Sequence, residues 1–236
     1  MPLVIPGPAL DYYLSQGYYR MRQDLFTCQF LPHDDQLYTV HWLRLVLRDV
    51  QYGSKQRHLL RRNASFSVVV QPFQLTAEHE TLYGLYHQSL SFEAAATLAE
   101  LLLADETAHS VFSTEIVEVR DGDLLIAAGI FDQGAVSIAG IVNFYHPAYR
   151  KHSLGKYLML LKIMRARQQQ KTYYYPGYVV HGYPKFDYKL WACPAATEVF
   201  DCYSYQWPSF SWEVVAQQSA AIMAGWLARE GPDDAE

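Results

Sequence analysis

The segment Ser153-Leu154-Gly155-Lys156 opens a helical stretch and is the one phosphate-loop candidate in the chain. The N–H groups of a helix's first turn have no intrahelical acceptor, and a neighbouring lysine adds a positive charge, so such a start suits an anion. The segment is neither a Walker loop nor a glycine-rich acyl-coenzyme A signature. Charge around it is segregated. From Gln133 to Phe186, 54 residues contain no acid and eight Lys or Arg: Arg150, Lys151, Lys156, Lys162, Arg165, Arg167, Lys171 and Lys185. Tyr145, Tyr149, Tyr157, Tyr173, Tyr174, Tyr175 and Tyr178 are interleaved with them. Cations for phosphates and rings for unstacked bases are what a nucleic acid requires; a solvated basic stripe on one helix is the plainer alternative. A second basic segment runs from Arg44 to Arg62, with six cations against Asp49. Between the two, Glu78 to Asp132 holds eleven acids opposed by Arg120, a balance that would also suit half of a self-complementary interface.

Other chemistries lack their residues. Nine histidines include no HExxH and no i, i+4 pair, and Cys28, Cys193 and Cys202 lack paired CxxC spacing, so no metal site is expected. No G-x-S-x-G elbow and no dinucleotide G-x-G-x-x-G occurs. An odd cysteine count fits a reducing compartment, and no signal peptide or long apolar window is present, so a cytoplasmic protein without membrane insertion is expected. The 236 residues are 50% hydrophobic and 18% charged, enough to fold around a core.

The elements that must position these residues follow from periodicity and punctuation. A short helix is expected over 9–16, then strands over 18–30 and 36–50 separated by Leu-Pro-His-Asp-Asp. A basic helix over 54–63 has Ser54 as its N-cap, and residues 66–75 read as an edge strand because of Pro72. Thr76 caps a helix to Gln88, and Ser91 caps another through Leu103. Three antiparallel strands follow from Ser113 to Tyr145, with Asp121-Gly122 as a hairpin turn. Ser153 caps a long helix with Leu158, Leu161 and Met164 on its inner face. Residues 173–183 form a strand broken at Pro176-Gly177, and 211–229 form a helix. The fold class expected is α+β, an acyltransferase-like (GNAT-like) core of antiparallel strands with helices plus an N-terminal strand-rich subdomain. The domain boundary expected places 1–75 in that subdomain and 76–236 in the transferase domain.

Several strings together resemble the aminoacyl-tRNA-protein transferases, the arginyl and leucyl enzymes of the N-degron pathway, most closely their C-terminal domain. They are the Asn-Phe-Tyr-His-Pro turn, Ser-Leu-Gly-Lys-Tyr opening a helix, Tyr-Pro-Gly-Tyr at 175–178 and Pro-Lys-Phe-Asp-Tyr-Lys at 184–189. Upstream, GSKQRHLLRRN at 53–63 and ETLYGLYHQSL at 80–90 are similar to the family's Arg-rich segment and its Tyr-x-x-Tyr helix. The resemblance runs in order from about residue 17 to 200.

It implies transfer of an amino acid, arginine favoured over leucine, from its tRNA ester to the α-amine of proteins that begin with Asp or Glu. An α-amine is already partly neutral near pH 7, so positioning and mild base help suffice. Within that reading Asp132 orients the amine or accepts its proton, and Tyr145 and Tyr188 donate to the ester oxygen or stack on the terminal adenine. Ser153, Leu154, Gly155 and Lys156 hold the tRNA 3′ end, while Arg57, Arg61, Arg62 and Lys185 meet phosphates or the acidic acceptor residue. Tyr175 and Lys189, in the two downstream motifs, join the substrate-binding set. No cofactor is implied beyond aminoacyl-tRNA as co-substrate, and the oligomeric state stays open. Cys28 alone stands where the family carries a cysteine cluster, His146 replaces an Asp, and Lys185-Phe186 replaces Lys-Met. An acyl-coenzyme A N-acyltransferase, or an inactive homologue that binds tRNA or acidic N-termini, are the alternatives.

Overall fold

The computed structural model describes residues 4–103 and 110–229. Asp105 and Glu106, counted above among the acids, lie outside the described residues. In chain order the elements are α1 (Gly7–Ser15), β1 (Tyr19–Met21), β2 (Asp24–Phe26), β3 (Phe30–His33), β4 (Gln36–Val46), α2 (Ser54–Arg62), β5 (Ser67–Pro72), α3 (Ala77–Gln88) and α4 (Leu98–Leu102). Then follow β6 (Thr114–Asp121), β7 (Leu124–Gln133), β8 (Ser137–Tyr145), α5 (Leu154–Gln168), β9 (Tyr173–Val180), β10 (Thr197–Val199) and α6 (Trp212–Leu227). One mixed sheet of order β10-β4-β9-β8-β7-β6-β5, with β3 also paired to β4, organises the chain. It takes β3, β4 and β5 from the first 75 residues and β6 to β10 from beyond them, so both sides of the boundary expected there contribute strands to it.

The expected meander of β6, β7 and β8 is present, antiparallel throughout. Its central strand reads as a nearly continuous apolar run because helices cover both faces. Phe131 packs in the cluster that contains Leu158 and Ile163 of α5, whereas its neighbour Ile130 packs with Leu82 of α3 and Leu98 of α4. The core is of antiparallel strands with helices as expected, and at one place, between β8 and β9, neighbouring strands run parallel. Parallel neighbours need a crossover, and α5 supplies it.

Local chemistry accounts for other departures. The strand expected over 18–30 is a hairpin and a third strand, because Arg22 adopts φ +57 and turns the chain. The helix expected from Ser91 begins only at Leu98, where Thr97 caps it and the Glu80 carboxylate accepts from the N–H groups of Leu98 and Ala99 at 2.9 and 2.8 Å. A tertiary cap thus sets the start that local propensity alone placed earlier. Gly53, rather than Ser54, occupies the N-cap of α2. β9 continues through Pro176-Gly177, with a register shift on its β4 side and φ +101 at Gly177. A proline is tolerated in a strand at such an irregularity. On α5, Met164 is 36% exposed, and the stripe at 154, 158, 162 and 166 faces inward instead. Thr76 caps α3 as expected, with His79 closing a capping box.

A polar knot fastens α6 to β4. His41 bonds through Nε2 to Ser219 Oγ at 2.9 Å and through Nδ1 to Gln218 Oε1 at 3.1 Å, and Thr39 Oγ1 meets Ser219 Oγ at 2.7 Å. Burial, with His181 nearby and against the Gln218 bond, lowers His41 to about 4 from 6.5. The unfolded chain therefore takes up a proton below pH 6.5 that the folded chain refuses until about pH 4. The stability this neutral histidine contributes is complete above pH 6.5 and declines as pH falls, by about 1.4 kcal/mol per unit in the window. Urea unfolding between pH 7 and pH 5 should show that slope, and His41→Asn should flatten it.

Candidate active site

β8 and β9 pair at only three positions, Ser137↔Tyr173, Ile138↔Tyr174 and Ala139↔Tyr175. Beyond these the strands part: β8 continues to Tyr145 against β7, and β9 continues to Val180 against β4. The Tyr19 hydroxyl sits at the fork, within hydrogen-bond reach of the carbonyls of Gly140 and, at 3.0 Å, of Tyr175. On the other side of β8 the register slips between Ile130 and Phe131, so Ile141 is an extra residue and the strand bends away.

The fork opens into a cavity of about 770 Å3. That is the range of small-molecule and substrate pockets. One wall is the start of α5, where Ser153, Gly155 and Lys156 line the cavity. Ser153 is the N-cap as expected, but at φ +52 its side chain makes no cap bond, so the first turn stays uncapped toward the cavity. A residue held in the left-handed region with no cap bond is local strain of the kind that clusters at functional sites. A second wall is aromatic: Tyr145 packs on Tyr86 with ring centroids 5.2 Å apart, and Trp42 and Phe26 lie deeper. A third wall is the turn after β9, bearing Lys185, Tyr188 and Lys189.

The electrostatics are one-sided. Six cationic side chains line the cavity (Arg20, Arg150, Lys156, Lys162, Lys185 and Lys189) against the single carboxylate of Glu93 among the described residues. Lys189 lies among the rings of Phe186, Tyr178 and Tyr188, 4.5, 5.0 and 5.1 Å from its Nζ, and has no ion pair among the described residues. Burial lowers its ammonium to about 7, against the pull of Asp187. Gly177 makes room for it: a Cβ there would stand 3.2 Å from Lys189 Cε. Lys185 Nζ rests 3.4 Å from the centroid of Phe92. Lys162 is buried, and its Nζ donates to the carbonyls of Ile130 at 2.7 Å and Val142 at 3.2 Å. Trp42 Nε1 and Asn143 Oδ1, atoms of two lining residues, are buried without hydrogen-bond partners among the described residues.

The family model described as "Arginine-tRNA-protein transferase, C terminus" matches residues 78–196, half of the chain. The chain belongs to the aminoacyl-tRNA-protein transferase family. This transferase is 30% identical over 183 residues to an aspartate/glutamate leucyltransferase of Parvibaculum lavamentivorans, covering 77% of its own length and 75% of the relative's. It is 25% identical over 199 residues to a protein of the same name from Leptospira interrogans, covering 82% and 76%. Among solved structures, FemX is similar at a TM-score of 0.44 and 10% identity, over 81% of this chain and 65% of that one. L-PGS from Bacillus licheniformis is similar at 0.45 and 11%, over 72% and 49%.

Of the residues singled out from the transferase's sequence, Tyr145, Tyr188, Ser153, Gly155, Lys156, Lys185 and Lys189 come together in the one cavity. Leu154 does not line it; it is fully buried in the core beneath α5. Tyr175 points the other way and packs on Trp207 with centroids 5.7 Å apart. Asp132 is also not part of the wall. Its carboxylate is 0% exposed, accepting from Arg20 Nη1 at 2.8 Å and Thr114 Oγ1 at 2.6 Å. It reaches the cavity only through Arg20, which does line it. Arg57, Arg61 and Arg62 are exposed on α2. That helix is tied to the turn before α5, because Asn63 Nδ2 donates to the His152 carbonyl at 3.1 Å and Asn63 Oδ1 meets His152 Nδ1 at 3.2 Å. Burial together with Lys151 and Arg62 lowers His152, so both cations lie close enough to this histidine to act on it. Arg20, Lys162 and Trp42 were not singled out from the sequence. For Lys162 a signal was present: the i, i+4 series Leu154, Leu158, Lys162, Ala166 puts it on an otherwise apolar stripe.

No helix among the described residues is long and apolar enough to cross a membrane.

Proposed function

We propose that the protein moves leucine from leucyl-tRNA to the α-amine of proteins that begin with Asp or Glu. The observation that carries this reading is the cavity at the strand fork, cationic on its polar walls and aromatic elsewhere, with the basic helix α2 tied through Asn63 to the turn before α5. Arg57, Arg61, Arg62 and Lys151 lie where acceptor-stem phosphates would pass. The terminal adenosine stacks on Tyr145 and Tyr86, with its phosphates at Ser153, Gly155 and Lys156. Tyr188, 47% exposed at the rim, is placed to donate to the ester oxygen. Lys189, with Lys185 beside it, takes the acidic side chain of the acceptor.

The donor follows from charge. An arginyl side chain entering a cavity lined by Arg150, Lys156 and Lys185 against the single carboxylate of Glu93 would meet repulsion, whereas a leucyl side chain finds Trp42, Phe26 and Ile141. Leucine is therefore preferred here over the arginine favoured from sequence. The name of the two relatives, aspartate/glutamate leucyltransferase, supports the same choice.

Transfer of labelled leucine and arginine from charged tRNA to peptides beginning Asp, Glu or Lys tests the reading. Leucine incorporation on the acidic peptides is expected, with arginine at least about tenfold slower. No transfer from either donor would sink it, and a rise in melting temperature with acetyl-coenzyme A would redirect it to acyl-coenzyme A chemistry.

A further inference from the structure

Amide formation from an amine and an ester needs a group that takes a proton from the attacking nitrogen and returns one to the leaving oxygen. The aspartate expected in that role is buried against a guanidinium outside the cavity wall. Resting on the transferase reading, we propose that Lys162 is the proton relay of the reaction. The lysine lines the cavity, yet its side chain makes no ion pair among the described residues. Its two hydrogen bonds go to neutral carbonyls at the β7–β8 irregularity, Ile130 O and Val142 O. A neutral primary amine has two N–H groups, so these acceptors satisfy it fully and leave its lone pair free.

Asn143 stands beside this lysine on the meander. A Cβ on Gly129 would come 2.8 Å from both Lys162 Cε and Asn143 Oδ1, so the lysine and the asparagine meet over the same glycine. Asn143 Oδ1 is buried without a partner, while its Nδ2 donates to the Gly155 carbonyl at 3.3 Å. The pair links the proton site to the turn of α5 that lines the tRNA end of the cavity.

Burial lowers Lys162 to about 7, with Asp132, itself paired to Arg20, pulling the other way. Tyr145, Tyr174 and Tyr178 are the other titratable side chains of β8 and β9 that line this cavity, with Lys156 on α5 and Arg20 on β1 the charged groups of those packed elements. Both protonation states are thus populated near neutral pH, as a relay requires.

In the step, the acceptor nitrogen's lone pair forms the C–N bond to the ester carbonyl carbon, and the proton it sheds passes to the Lys162 lone pair. As the tetrahedral centre collapses, the C–O bond to the ribose breaks, its electron pair stays on the ribose oxygen, and Lys162 returns the proton there. The products are a peptide amide, a free tRNA hydroxyl and neutral lysine.

Single-turnover transfer from pre-charged leucyl-tRNA by the full chain tests this in Lys162→Met and Lys162→Arg. Both should lose about 10²–10⁴-fold in rate while charged-tRNA affinity stays within about threefold, because methionine has no proton site and arginine cannot release one. A wild-type readout is independent of variant folding. With an aminooxy-terminated acceptor, whose nucleophile stays neutral through the neutral range, the rate should still fall as pH drops below about 7. Wild-type transfer with an unchanged rate in either variant, or a flat profile with the aminooxy acceptor, overturns the relay and leaves the transferase reading intact. Absence of transfer by the wild type overturns the transferase reading itself.

Discussion

Arg20→Met is expected to lower the unfolding free energy by about 3–5 kcal/mol, which is the usual cost of stranding one member of a buried ion pair. The Arg20 guanidinium and the Asp132 carboxylate, 2.8 Å apart, have side chains 2% and 0% exposed. Truncating the arginine leaves the carboxylate with Thr114 alone and Asp132 Oδ2 already partnerless. It also removes the Nη2 bond to Leu102 O at 3.0 Å, the Nε bond to Arg22 O at 2.6 Å and the stacking on Phe112 at 4.5 Å. These contacts pin the β1–β2 hairpin and the end of α4 to the central strands. Typical domains have only about 5–15 kcal/mol in hand, so the urea midpoint should fall sharply. Arg20→Met combined with Asp132→Leu should recover most of the loss, since a buried pair replaced by apolar groups is often near neutral. If the single variant melts within about 0.5 kcal/mol of wild type, the pair is not carrying that load.

The same pair shows where the sequence was legible and where it was not. Asp132 was visible as a polar residue closing an apolar strand, and in the register it stands opposite Thr114, which is its hydrogen-bond partner. Its main partner, Arg20, is 112 residues away, and nothing local announces a guanidinium that crosses that separation. The β6–β8 meander was readable because its central strand is apolar on both faces and Asp121-Gly122 marks the turn before it, with φ +59 at Gly122. The helix expected from Ser91 was not, because its start depends on Glu80 reaching across from α3. The cavity itself follows from two irregularities that period-two patterns do not encode: the three-residue limit on β8–β9 pairing and the slip at Ile130. What the pattern did offer was the right neighbourhood, since seven of the site residues named from sequence converge on the fork.

The acceptor end of the reaction gives the second large expectation. Lys189→Met should lower kcat/KM for peptides beginning Asp or Glu by roughly 10²-fold or more, the scale of about 2–5 kcal/mol for removing one partner of a buried charge contact. The loss should sit mainly in KM, because the lysine holds the acceptor's side chain rather than its reacting amine. Leucyl-tRNA affinity should stay within about threefold, since Lys189 lies on the wall opposite the start of α5 in this reading. The pH dependence has a definite sign. In the free protein the ammonium is held near 7 by burial, so it is charged below that pH and neutral above it. Only the charged form attracts a carboxylate. KM for an acidic peptide should therefore be lowest below about pH 7 and rise, approaching tenfold per unit, as pH increases through it. The amine of the same peptide becomes a better nucleophile over that range, so kcat climbs while KM worsens, and kcat/KM passes through a maximum. A peptide beginning Asn should lack the KM limb altogether, because its side chain carries no charge for Lys189 to hold. Equal KM profiles for Asp- and Asn-starting peptides would remove Lys189 from acceptor recognition and move the search to Lys185, Arg20 and Arg150, other cations that line the cavity.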